Sequence, residues 1–189
     1  MDLDLLQESV QGLRAPSYGK VQRTGESYVA TARWAVRLIK ICVRLYRRLE
    51  RLDQTARLLR DTIEFAVRRY HTYFYEYQRQ THYRDASIGV NETRGLVIEH
   101  VIPIRLLIAG LLQDRVPLSL VLNPPMCVIR KDSDDVLEKS GLGDVTPSVW
   151  HFWQRYQALN LTIVTNRNDP VDQSTWDLGT HVKYFSIKL

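Results

Sequence analysis

The sequence predicts a helix-rich α+β protein: an N-terminal antiparallel helical hairpin, a strand–strand–helix (ββα) module, and a C-terminal tail of helix and strand. Three observations support this. Residues 26–83 contain no Gly or Pro and carry apolar residues at helical spacing. Short apolar runs follow, separated by Gly, Pro and Asn. The length of 189 residues suits one domain or a domain with an extension, and we place two regions at residues 1–90 and 91–189.

The hairpin is predicted from two apolar lines at alternating spacings of four and three residues. The first line comprises Leu38, Cys42, Leu45, Leu49 and Leu52. The second begins after Asp53 and comprises Leu59, Ile63, Ala66, Tyr70, Tyr73 and Tyr77. Such spacing places each line on one face of an α-helix, so we expect the two helices to pack against each other through these faces.

A basic row follows the other side of the first helix. It comprises Arg33, Arg37, Lys40, Arg44, Arg47 and Arg51. Residues 1–90 hold 16 Lys and Arg against 10 Asp and Glu, whereas residues 91–189 hold 10 against 11, so the net charge of +5 belongs to the N-terminal region. A solvated helix face and a contact with nucleic-acid phosphates both explain such a row.

The second region is predicted to alternate strand and helix after a loop at residues 84–94. The predicted elements are a strand over residues 95–103, a helix over 104–113, a strand over 126–130, helices over 132–140 and 147–159, and strand-like runs at LTIVT and VKYFSIKL. In the helix over 147–159, Trp150, Trp153 and Tyr156 are expected in the core.

A carboxylate and an imidazole lie side by side in the first of these strands, as Glu99 and His100. Neighbours on a regular strand point to opposite faces, but both could reach one site if the strand ends or bulges there. A carboxylate can hold a divalent metal and an imidazole can take a proton from water. Asp132, Asp134 and Asp135, at the start of the next helix, offer further ligands. A hydrogen-bonded core histidine and a helix-capping aspartate are the structural alternatives.

This order of parts resembles the HNH, or ββα-metal, endonucleases, whose first motif is Asp/Glu-His-x-x-Pro, here residues 99–103 (EHVIP). The resemblance implies that Glu99 binds metal, His100 is the general base and Asn123 orients it. Asp132 or Asp134 would complete the site for one Mg²⁺ or Mn²⁺. The sequence departs from the family in its apolar helix after His100 and in an acidic third ligand.

We therefore expect a metal-dependent DNA endonuclease of a restriction, phage or mobile-element type. It would contact the backbone of duplex DNA with the basic row and act as a homodimer. Both Glu99 and His100 should then turn toward the helix that begins near Asp132. The alternatives are a non-catalytic nucleic-acid-binding or regulatory protein, and a helical adaptor for an acidic protein. Cys42 and Cys127 are expected as buried thiols, and the chain as cytoplasmic with no membrane segment.

Overall fold

The computed structural model describes residues 25–49, 53–72, 81–89, 92 and 94–187. The α+β class is confirmed, with a helical pair followed by a small mixed sheet with its own helices. The chain divides into two compact units, residues 1–78 and 79–189. This division precedes the predicted one because Tyr83–Asp85, placed in the first region by the sequence, is a strand of the second unit's sheet. None of the described helices has the length and apolarity needed to cross a membrane.

The first unit contains helices α1 (Gly25–Leu49) and α2 (Asp53–His71), which pack against each other. Ala35 and Ile39 of α1 and Ile63 and Ala66 of α2 are fully buried. The apolar face of α1 is thus centred one residue beyond the predicted line, in which Cys42 is buried and the other described members are half-buried. Leu52, Tyr73 and Tyr77 of the predicted lines lie outside the described residues.

The second unit is built on a four-stranded sheet of order β2-β3-β1-β4. Its strands are β1 (Tyr83–Asp85), β2 (Leu96–His100), β3 (Met126–Arg130) and β4 (Ile163–Thr165). β2 and β3 are antiparallel, β3 and β1 are parallel, and β1 and β4 are antiparallel. β2, β3 and β4 were predicted from the sequence, whereas β1, which has only three residues, was not.

The helices of this unit are α3 (Ile104–Leu112), α4 (Leu118–Leu122), α5 (Lys131–Lys139), a 3₁₀ helix (Phe152–Leu159) and α6 (Leu178–Tyr184). α3 and α5 were predicted within a residue or two, and α4 was not. The run VKYFSIKL was predicted as a strand, and this is wrong for its described residues, which begin inside α6. Only the second half of residues 147–159 is helical, and it is 3₁₀.

The core of the second unit includes two of the three aromatic residues predicted there. Trp153 and Tyr156 are fully buried, but Trp150 is 53% exposed. Trp150 precedes the 3₁₀ helix and donates its indole N–H to Asp177 Oδ2 at 2.9 Å. Cys42 and Cys127 are buried free thiols, as predicted.

Candidate functional site

The backbone of β2 is regular to its end. Glu99 pairs with Cys127 and His100 with Met126, and the amide of Val101 donates to the carbonyl of Pro125 at 3.0 Å, which continues the ladder. Without a bulge, adjacent side chains point to opposite faces of the sheet. The expectation that Glu99 and His100 both turn toward α5 is therefore wrong.

The two faces of the sheet differ in burial. On the Glu99 face, Cys127, Ile129 and Tyr83 are fully buried. On the His100 face, Met126 is buried, but Ile98 is 37% exposed and Val128 is half-buried. Alternation along β2 thus places Glu99 inside the unit and His100 on the more open side of the sheet.

Glu99 is held by two consecutive residues of the 3₁₀ helix. Arg155 Nη2 lies 3.1 Å from Glu99 Oε1, and the Tyr156 hydroxyl donates a hydrogen bond to Glu99 Oε2. Burial raises the pKa of Glu99 to about 7, while Arg155 and the Tyr156 hydrogen bond act in the opposite direction. Desolvation outweighs the pairing, so this carboxyl titrates near neutrality.

Arg155 also organises the backbone around Glu99. Its side chain has no exposed surface. It donates to the carbonyls of His100 (2.9 Å) and Val101 (3.2 Å) at the end of β2, and to those of Leu142 (2.7 Å) and Gly143 (2.9 Å) after α5. One guanidinium therefore ties the end of the strand, the segment after α5 and the Glu99 carboxylate together.

The predicted ligands on α5 occupy different environments. α5 follows β3 directly and packs on both β2 and β3. Asp134 is half-buried and acts electrostatically on Glu99, raising its pKa. The pKa of Asp134 is itself raised by burial and by Glu138 and Asp135. Asp132 is exposed, so of the two only Asp134 is shown to act on Glu99.

Asn123 lies at the end of α4, where its backbone N–H donates to the carbonyl of Ser119 at 3.0 Å. Pro125, two residues later, pairs with Val101 through its carbonyl. The backbone therefore brings Asn123 to the same end of the sheet as His100.

The arrangement fits a buried ion pair better than a metal site. Both carboxylate oxygens of Glu99 already accept contacts from Arg155 and Tyr156. Among the described residues, no three His, Cys, Asp or Glu side chains are grouped so that they could hold a metal ion. Metal binding by Glu99 would require its carboxylate to leave these two partners.

The basic row is exposed along α1. Arg33, Arg37, Lys40, Arg44 and Arg47 are all exposed, whereas Arg51 lies outside the described residues. Arg48, which the spacing did not single out, is exposed as well.

Sequence reasoning missed the partner of Glu99. Tyr156 was expected in the core, and no role was predicted for Arg155. The available signal was an arginine within the aromatic run FWQRY, because a cation on a buried segment needs acceptors or a carboxylate.

No protein-family model, curated protein or solved structure matches this chain. The resemblance to HNH endonucleases therefore depends on the residues of this chain and the order of its elements.

Proposed function

We propose that this protein binds duplex DNA through its phosphate backbone, using the basic side of α1. One observation carries the proposal: every exposed side chain within residues 31–49 is Arg or Lys. These side chains are Arg33, Arg37, Lys40, Arg44, Arg47 and Arg48. A helix that merely needs solubility usually mixes both signs of charge on its outer face.

The dimensions of the row suit a duplex. At 1.5 Å per residue, Arg33 to Arg47 span about 21 Å of helix. A duplex presents one negative charge per roughly 1.7 Å along its axis, so the row lies opposite several phosphates at once. Cations at spacings of four and three residues stay on one side of the helix.

The row contacts phosphates better than base edges. Its exposed members are cations without interspersed Asn, Gln, Ser or Thr, the side chains that add base readout or further backbone hydrogen bonds. The bound sequence should therefore matter little.

Salt dependence of binding tests the proposal. With about five phosphate contacts, log Kobs should fall with log salt at a slope of about −4.5 for B-DNA. Fluorescence anisotropy with a labelled duplex of mixed sequence measures this slope. Salt-insensitive binding, or no binding at low salt, would contradict the proposal. Tight binding to an acidic protein but not to DNA would favour the adaptor alternative.

A matched pair of variants localises the contact. Arg37→Ala/Arg44→Ala should reduce the slope by about two, since each phosphate contact contributes about 0.9. Arg57→Ala/Arg60→Ala removes the same charge from exposed positions of α2, and should change binding much less. Equal losses in the two variants would indicate a net-charge effect and overturn the assignment to α1.

A metal-dependent endonuclease is a second candidate, favoured by the order and packing of β2, β3 and α5. In this candidate His100 and Asn123 act on the substrate, while Glu99 and Asp134 bind Mg²⁺ or Mn²⁺. Two observations oppose it: regular strand pairing places Glu99 and His100 on opposite faces of the sheet, and a metal would have to displace Arg155 and Tyr156 from the Glu99 carboxylate.

Plasmid nicking with Mg²⁺ or Mn²⁺ tests the second candidate. Loss of a general base lowers activity by roughly 10²–10⁴-fold, so His100→Ala should abolish nicking while the exposed His151→Ala retains it. If the wild type does not nick, or His100→Ala nicks equally well, the endonuclease candidate is rejected. The proposal that α1 binds duplex DNA does not depend on this result.

A further inference from the structure

Two buried imidazoles meet between the sheet and the C-terminal helix, away from Glu99. His82 immediately precedes β1 and His181 lies on α6. Both are buried, and their ring centroids are 4.8 Å apart at an interplanar angle of 74°. Phe185 of the same C-terminal segment packs on His82 at 4.7 Å. We call His82 and His181 the histidine pair.

Hydrogen bonds fix His181 as a neutral imidazole. The indole N–H of Trp176 donates to the Tyr83 hydroxyl at 2.9 Å, and the Tyr83 oxygen lies 2.7 Å from His181 Nδ1. An indole is only a donor, so Tyr83 accepts from Trp176 and gives its one proton to Nδ1. The proton of the imidazole then sits on Nε2, which has no hydrogen-bond partner among the described residues.

The backbone and sheet fix His82 in the same way. The amide of Met126 donates to His82 Nδ1 at 3.3 Å, so that nitrogen serves as an acceptor. The carbonyl of His82 accepts from the amide of Asn166 at 2.8 Å. Neither Nδ1 can take a proton without disturbing an existing donor.

The rings of Tyr83 and Phe185 pack on the pair and carry no negative charge. Tyr83 on β1 is a titratable group in contact with the pair, and Cys127 on β3 and Tyr184 on α6 act electrostatically on Tyr83. Tyrosine and cysteine are neutral at and below neutral pH. Asp169 binds the Tyr184 hydroxyl from an exposed position, Asp85 acts on Cys127, and the 3₁₀ helix contributes the ring of Phe152 to the pair.

We infer that the histidine pair is an acid-sensitive latch, which holds α6 on the sheet at neutral pH and releases it when the imidazoles take up protons. The hydrogen bonds from Tyr83 to His181 and from the Met126 amide to His82 each need an unprotonated Nδ1. Release exposes the pair to water, where both imidazoles can be charged.

Proton linkage gives the direction of the pH dependence of α6 release. Burial lowers the pKa of His82 from 6.5 to about 4, and burial together with His82 lowers that of His181 from 6.5 to about 2. The released form binds more protons below about pH 6.5, so the latch is fully closed above that value and weakens below it. If both imidazoles are exposed on release, the opening constant should rise on the order of 100-fold between about pH 7.5 and 5.5.

Hydrogen exchange of the full-length protein tests the inference. After correction for intrinsic rates, amides of α6 should exchange on the order of 100-fold faster at about pH 5.5 than at 7.5. Amides of β3 should change far less. Unchanged α6 exchange overturns the inference, as does an equal increase in β3, because that would be global unfolding.

Two variants test whether the pH dependence of α6 exchange comes from the histidine pair. His181→Phe keeps a ring but cannot titrate, and should reduce the pH effect to on the order of 10-fold. His151→Phe, at an exposed histidine, should leave it intact. If His181→Phe does not fold, ¹⁵N shifts of the wild-type imidazoles decide the question: His181 titrating near 6.5 in the folded protein would overturn the latch.

Discussion

Arg155 shows how one buried side chain determines local geometry. Its guanidinium has no contact with water, so its donors need acceptors inside the protein. Four backbone carbonyls and the Glu99 carboxylate accept from its two terminal nitrogens, whereas Nε has no hydrogen-bond partner among the described residues. Because these acceptors come from the end of β2 and the segment after α5, the two are held together.

Removing Arg155 should therefore be costly. We expect Arg155→Met to lower the free energy of unfolding by about 3–5 kcal/mol, because it leaves Glu99 buried without its cation. Urea denaturation of the full-length protein measures the change. Arg105→Met, which breaks an exposed pair with Asp144, should cost at most about 1 kcal/mol. Similar losses in the two variants would show that Arg155 is not specially coupled to the fold.

Glu99 should give stability a distinct pH dependence. Its folded-state pKa is raised from 4.5 to about 7, so between these values the folded protein binds more protons than the unfolded chain. Its contribution to stability is fully present below about pH 4.5 and is lost as the pH rises through about 7.

Glu99→Gln should remove that component. The unfolding free energy of the variant should fall less than that of the wild type between about pH 5 and 8, as measured by denaturation at several pH values. Glu92→Gln, at a carboxylate that pairs with Arg130 near the surface, serves as the control. Parallel pH profiles for Glu99→Gln and the wild type would exclude a near-neutral pKa for Glu99.

At the scale of elements, α6 shows where local pattern fails. The run VKYFSIKL alternates as a strand does, but α6 begins upstream, where Asp177 Oδ1 accepts from the amide of Thr180 at 2.7 Å. This cap satisfies a free amide at the helix start. His181, buried on this helix together with Leu178, then contacts Tyr83 of β1. A cap and a tertiary contact outweighed strand propensity.

α3 contains a glycine whose role is steric. A Cβ on Gly110 would lie 2.4 Å from Val116 Cγ2, in the turn that follows the helix. Ala usually stabilises a helix interior by about 1 kcal/mol relative to Gly, but here overpacking should destabilise the protein by about 1–3 kcal/mol.

Double substitution isolates this contact. Gly110→Ala should lower the melting temperature less in the Val116→Ala background than alone, because the contact with Val116 Cγ2 is removed while that with Val116 Cβ at 3.0 Å remains. Thermal unfolding followed by circular dichroism compares the four proteins. If Gly110→Ala is destabilising to the same extent in both backgrounds, the contact with Val116 is not the cause.

At the scale of the whole molecule, the basic row and Glu99 belong to different compact units. The second unit has its own sheet and buried residues, including Tyr83, Trp153 and Tyr156. We expect a fragment of residues 79–189 to unfold cooperatively by itself and to bind duplex DNA much more weakly than the full-length chain. Circular dichroism and anisotropy measure the two properties. Full DNA affinity in a folded fragment would place the contact outside α1.

The sequence by itself determined the elements that depend on local periodicity and on strong breaks. The α1–α2 pair, β2, β3, α3 and α5 were predicted because their apolar spacing and the nearby Pro and Gly residues act over short distances. The exposure of Arg33, Arg37, Lys40, Arg44 and Arg47 follows from the same periodicity, since the opposite face of α1 packs in its unit.

Only the tertiary structure decided the surroundings of Glu99 and His100. The regular pairing of β2 with β3 places their side chains on opposite faces of the sheet, and Arg155 reaches Glu99 from 56 positions along the chain. The meeting of His82 with His181 is also long-range. Such contacts depend on how a buried charge or imidazole finds partners after folding, which spacing along the chain does not encode.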